Sequence, residues 1–156
     1  MAETAAACHL AAAALYAGFQ LTVRLVVYPQ LGSAGRLLDG AGEEAPAFPA
    51  LEASHGRRVA RLVGPLFLAL AGTTSWVLLV ALGGRGLASA PGLLAAGAAA
   101  CTAVVLAVTA AGAVPQHRVL GCGWDAAAHR RLLRWDTVRT AAALLQVALA
   151  LALALP

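Results

Sequence analysis

The sequence predicts an all-α transmembrane four-helix bundle with both termini on one side of the membrane. Three observations carry that prediction. The 156-residue chain is 61% hydrophobic and only 12% charged, with a mean hydropathy of +0.80. Soluble domains run to about 25% charged residues, and a soluble chain this apolar could not cover its own surface. Four uncharged runs, 4–23, 62–84, 86–116 and 140–156, are each 17 residues or longer, long enough to cross a hydrocarbon core about 30 Å thick. All 11 basic side chains are arginine, and they gather at the ends of the apolar runs. Membrane topology places them there, so no nucleic-acid partner is expected.

The first helix is expected over roughly 4–28. Its leader, "MAET", is acidic, and the apolar run continues past Arg24, so it reads as a retained span and not a cleaved signal peptide. The stretch 29–49, "PQLGSAGRLLDGAGEEAPAFP", mixes Gly, Ala and Pro with Asp39, Glu43 and Glu44 and is expected as a loop. The second helix is expected over 50–83, followed by the short turn "GGRGLASAPG". The third is expected over 91–114, with Pro115 ending it. After the turn "GCGWD", Asp125 is placed to cap a fourth helix over 126–155. Ala and Gly pervade all four spans and suit close backbone approach in lipid.

Orientation follows from the arginines. The first and third connections, with the adjoining helix ends, hold Arg36, Arg57, Arg58, Arg61, Arg118, Arg130, Arg131 and Arg134, whereas the second connection holds only Arg85. Positive-inside then puts the first and third connections in the cytoplasm and both termini outside the plasma membrane. Cys8 and Cys101 lie in apolar runs and read as packing residues. Cys122 has no evident basic partner, and nothing suggests a disulfide framework.

Within the first span, Tyr16, Gln20, Arg24 and Tyr28 recur at four-residue steps and share a face, with His9 two turns further out. A charge at membrane depth costs about 3 kcal/mol on insertion scales and so faces protein or a wet cavity. Arg24 alone could snorkel to the headgroups; Gln20 and Tyr16 lie too deep for that. Partners stand at the same level. Glu52 and His55 sit at i,i+3 before the second apolar run. His117 follows Pro115. His129 lies one turn after Asp125, and Asp136 follows two turns later on that face. Asp136 needs a partner; Arg24 and Arg139 are the candidates, the plainer alternative being an Asp136–Arg139 pair at a helix end. Trp124 and Trp135 suit an interfacial belt or the wall of an aromatic ligand's pocket.

Glu-x-x-His is the spacing of carboxylate-bridged metal sites in helical bundles, but such sites need two motifs and two further carboxylates. No cofactor is therefore favoured. A metal, if bound, would draw on Glu52, His55, His117 and His129.

The segments "VVYPQL", "HGRR" with "LVGPLF", "AVPQHRVLGCG" and "RWDTVRT" resemble a family of small bacterial four-helix membrane proteins of mostly unassigned function. That family is distantly similar to anthrone-oxygenase-like proteins of polyketide pathways. The resemblance covers most of the chain and points to His55, His117, Arg139 and Thr140 as matching positions. Where the family pattern has Asn-Trp ahead of the Arg-Thr pair, this chain has Asp136 and Thr137. The resemblance implies oxidation of a lipophilic polycyclic phenol without an obvious cofactor.

The residues and the resemblance together lead to an enzyme acting on a lipophilic small molecule, polyketide- or isoprenoid-like, in a polar pocket at the cytoplasmic third of the bundle. His55 or His117 would be the general base, Arg24 and Arg139 would stabilise an anion, and Asp136 would orient them. Tyr16, Gln20, Tyr28, Trp124, Trp135 and Thr140 would contact substrate. Oxygenation and isomerisation or cyclisation need the same groups. The alternatives are a non-catalytic subunit or scaffold of a membrane complex, and a small-solute or ion transporter. The outer half, with only scattered Thr and Ser beyond Tyr16 and His9, argues against transport. Lipids are partners in every case, and self-association is left open.

Overall fold

Four apolar stretches become four long helices. The computed structural model describes residues 1–39, 47–84 and 86–155. The first helix spans Ala2–Asp39, the second Ala47–Gly83, the third Ala90–Leu120 and the fourth Ala126–Ala154. Each is long and apolar enough to cross a membrane. The described residues contain no strand. Ser89 caps the third helix by accepting from the Gly92 amide at 3.2 Å. Asp125 caps the fourth, accepting from the Ala127 and Ala128 amides at 2.7 and 2.8 Å.

The helices form a ring in which the first packs on the second and fourth, and the third on the same two. Chain direction alternates around the ring, so both termini lie at one end and the connection 121–125, flanked by Arg118, Arg130, Arg131 and Arg134 on the adjoining helices, at the other. The buried faces are built from small residues, among them Ala5, Ala13, Ala95, Ala98, Ala143 and Ala150. These let backbones approach closely where lipid offers no hydrophobic drive for association. Tyr16, Leu70, Val105 and Ala143, one from each helix, fill the middle. Leu15, Leu68, Leu79 and Leu93 face outward.

Two expectations about breaks are corrected. The first helix does not end at Tyr28; residues 29–39 of the expected loop are helical. The third does not end at Pro115 but continues to Leu120. In both, a π-helical turn stands just before the proline: Val23–Val27 ahead of Pro29, and Thr109–Ala113 ahead of Pro115. A proline lacks the amide that would bond four residues back, and a wider turn absorbs that loss without breaking the helix. Residues 47–49 of that loop already belong to the second helix, while 40–46 with Glu43 and Glu44, and Arg85 in the second connection, lie outside the described residues.

The π turn also explains how the polar stripe holds together. At about 100° per residue, twelve residues of regular helix would carry Tyr28 about 120° away from Tyr16. One extra residue in the turn takes back about 100° of that drift. Tyr16 and Tyr28 accordingly both sit in the interior, at 1% and 2% exposure. Past Pro29 the helix docks across the start of the fourth. A side chain at Gly35 would overlap the Trp124 ring, and one at Gly32 would press on His129.

Candidate functional site

Asp136 is the centre of a buried charge network. It is 1% exposed and accepts from Gln20 Nε2 at 2.6 Å, Arg139 at 2.8 Å and Arg24 at 3.3 Å. Gln20 is itself held by Thr140 at 3.2 Å and by the Tyr16 hydroxyl at 3.4 Å. Arg24 also donates to Thr137 at 3.0 Å and is about one third exposed. The i,i+3 pair of Asp136 and Arg139 does form, and the first helix then adds Arg24 and Gln20 to the same carboxylate.

From Arg139 the network crosses to the other side of the bundle. Arg139 donates to the Tyr28 hydroxyl at 3.1 Å. The Tyr28 hydroxyl lies 3.4 Å from His117 Nε2, and His117 Nδ1 lies 2.5 Å from Glu52 Oε1. With Glu52 ionised and the imidazole neutral, the carboxylate can only accept, so Nδ1 carries the hydrogen and Nε2 is left to accept from Tyr28. All four helices contribute: Tyr28 from the first, Glu52 from the second, His117 from the third, Arg139 and Asp136 from the fourth. Glu52 and Arg139 are 3% and 6% exposed, yet Glu52 Oε2 and Arg139 Nε have no protein partner. A buried polar atom left in that state costs about 1–3 kcal/mol, and such atoms call for an explanation.

These groups border a cavity of about 370 Å³, within the usual size range of small-molecule sites. Its polar wall is Tyr28, Glu52, His55, Thr109, His117, Arg118 and Arg139; Phe19, Val23, Val59, Val63 and Val114 make it mainly apolar. It lies between the second and third helices. Those two pack closely along Ala90–Val108 and part beside Thr109–Ala113, and the cavity fills the space between them. The His55 ring stands 5.9 Å from that of His117, centroid to centroid.

The expected site residues therefore separate into groups. Tyr28, His55, His117 and Arg139 border the cavity. Tyr16, Gln20, Arg24, Asp136 and Thr140 lie behind that wall and hold Arg139 in place. Trp124 and Trp135, expected against substrate, do not border the cavity. Trp124 packs on Phe48, His129 and Gly35, and Trp135 lies over Gly112. Of the residues named for a metal, Glu52, His55 and His117 are neighbours, while His129 points elsewhere, 3.3 Å from the Tyr28 carbonyl. Among the described residues no group of three His, Cys, Asp or Glu side chains is arranged to hold a metal ion.

Two features escaped the sequence reading. Glu52 pairs with His117 across 65 positions, and no local spacing announces it. In the termini half, Gln146 donates to Thr74 and Thr102 at 3.3 and 2.7 Å, and His9 lies 3.2 Å from Thr73. That half is more polar inside than expected. The lone Gln146 in "LLQVALALALAL" was the available signal.

No family model matches the chain, and neither does any curated protein or solved structure. Fold and site define an all-α bundle of four helices long and apolar enough to cross a membrane, with an ionic cavity towards its arginine-rich end.

Proposed function

We propose that the protein is a membrane-embedded enzyme that removes a proton from a lipophilic, weakly acidic small molecule, polyketide- or isoprenoid-like in character. The observation that carries this reading is the row Glu52–His117–Tyr28–Arg139 along the wall of a mainly apolar cavity, with Asp136 behind Arg139. Glu52 and His117 supply the base, the carboxylate on Nδ1 fixing the ring's tautomer and orientation. Arg139, held by Asp136, supplies a fixed positive charge for the resulting enolate or phenolate in a water-poor site. Capture of that anion by dioxygen would make the reaction an oxygenation; return of the proton at another atom, or ring closure, would make it an isomerisation or cyclisation. The resemblance to anthrone-oxygenase-like proteins is consistent with the same substrate class. By the positive-inside bias the site opens near the cytoplasmic leaflet of the plasma membrane.

The test uses anthrone in lipid nanodiscs made in deuterated buffer. Wild-type protein should speed exchange of the anthrone methylene hydrogens over protein-free nanodiscs. Glu52→Gln and His117→Gln should lower that rate by about 10²-fold or more with unchanged helicity. Equal rates in all four samples, or in wild type and both variants, would remove the reading.

Solute passage is favoured by one observation, the buried His9–Thr73 and Gln146–Thr74–Thr102 contacts in the termini half. Against it, Tyr16, Leu70, Val105 and Ala143 pack between that half and the cavity on all four helices.

A further inference from the structure

His117 has no nitrogen left over. Nδ1 is held by Glu52 and Nε2 by the Tyr28 hydroxyl. If the Glu52–His117 pair is the base, its proton must arrive through whatever occupies Nε2. Tyr28 borders the cavity while its ring is 2% exposed, so its hydroxyl is fixed in place and not free to swing. That hydroxyl also takes a hydrogen bond from Arg139 at 3.1 Å, a cation aimed at the oxygen that would become negative. A hydroxyl with a carboxylate-backed imidazole on one side and a guanidinium on the other is arranged as an activated proton-transfer group.

We infer that Tyr28 is the catalytic residue that exchanges the proton with substrate, and that Glu52 and His117 act through it. The inference rests on the proposed function above and assigns the working atom of that site. The step balances as follows. The Tyr28 O–H bond breaks and its proton passes to His117 Nε2, forming an imidazolium stabilised by Glu52. The phenolate stays against Arg139. Its oxygen then takes the acidic hydrogen of the substrate, the bonding pair remains on the substrate as an enolate or phenolate, and Tyr28 is neutral again. The imidazolium returns its proton when the product anion is quenched, through Tyr28 or water. The chosen ligand is thus a molecule with an acidic C–H or O–H on an apolar frame. The 3.4 Å separation between Tyr28 and His117 is of the looseness seen in ligand-free sites, which tightens when substrate arrives.

The test uses the full chain in nanodiscs with anthrone and the deuterium-exchange reading. Tyr28→Phe keeps the ring and removes only the hydroxyl; Arg139 retains Asp136, so the bundle should unfold at nearly the wild-type temperature. Its exchange rate should fall by about a hundredfold or more. Ring-fluorinated tyrosine at position 28 is a more acidic phenol. It should restore exchange and move the limb of the pH–rate profile that reports Tyr28 ionisation to lower pH. Exchange retained in Tyr28→Phe, or restored by fluorotyrosine with an unmoved profile, would overturn the role of Tyr28 and leave the Glu52–His117 base intact. No exchange in wild-type protein would overturn both.

Discussion

Asp136 shows what one buried carboxylate does here. Two guanidinium groups and one amide converge on it, and both arginines come from apolar helices. Removing a buried partner leaves charge without compensation, typically at about 3–5 kcal/mol. Asp136→Leu should therefore destabilise the bundle strongly in detergent unfolding assays. Arg24→Gln should matter much less, because Arg24 is about one third exposed and its pair is screened. At this scale the sequence was informative where cost made a residue conspicuous. Arg24 and Asp136 stood out because charges are rare at depth, and their pairing was anticipated. Glu52 stood at the start of an apolar run, where a carboxylate is unremarkable. Its partner, His117, is a neighbour only after the second and third helices have packed.

At the scale of elements, the π turn at Val23–Val27 is what brings the stripe round. Pro29→Ala restores the missing amide and should let the helix become regular at unchanged length, turning Tyr28 about 100° away from Arg139 and His117. Exchange activity should then be lost with far-ultraviolet dichroism unchanged. The four-residue spacing of Tyr16, Gln20, Arg24 and Tyr28 was visible beforehand. The turn was not, because a π turn conserves composition and hydropathy and shows only in hydrogen-bond register. The prolines were misread for the same reason.

The Asp125 cap, by contrast, was legible from residue type alone. Its carboxyl is held below the usual carboxylate range, first by the Ala128 amide and then, against the opposing effect of desolvation, by the Ala127 amide and nearby Arg131 and Arg130. A lowered folded-state value means the cap contributes fully above the unfolded value of about 3.9 and fades as pH falls through the folded value. Thermal unfolding of Asp125→Ala should accordingly differ most from wild type at neutral pH, and the two curves should converge in acid.

For the whole molecule, the ring of four helices followed from hydropathy and arginine placement, and the structure has it. The cavity did not follow. Its apolar lining, Val59, Val63 and Val114, is indistinguishable in sequence from residues that face lipid. Trp124 and Trp135 drew attention as aromatic walls because large rings suit ligands, yet they serve helix contacts at Gly35 and Gly112.

On the proposed function the cavity takes its substrate from the bilayer through the gap between the second and third helices, and that route has a thermodynamic consequence. A site that communicates sideways with the bilayer is in equilibrium with acyl chains, which will occupy it whenever substrate does not. The relevant concentration is then the mole fraction of substrate among lipids, not its molarity in the buffer. At fixed total substrate, enlarging the lipid pool should dilute the enzyme's view of it and raise the apparent KM in proportion, while leaving kcat alone. A water-facing site would be indifferent to that surface dilution.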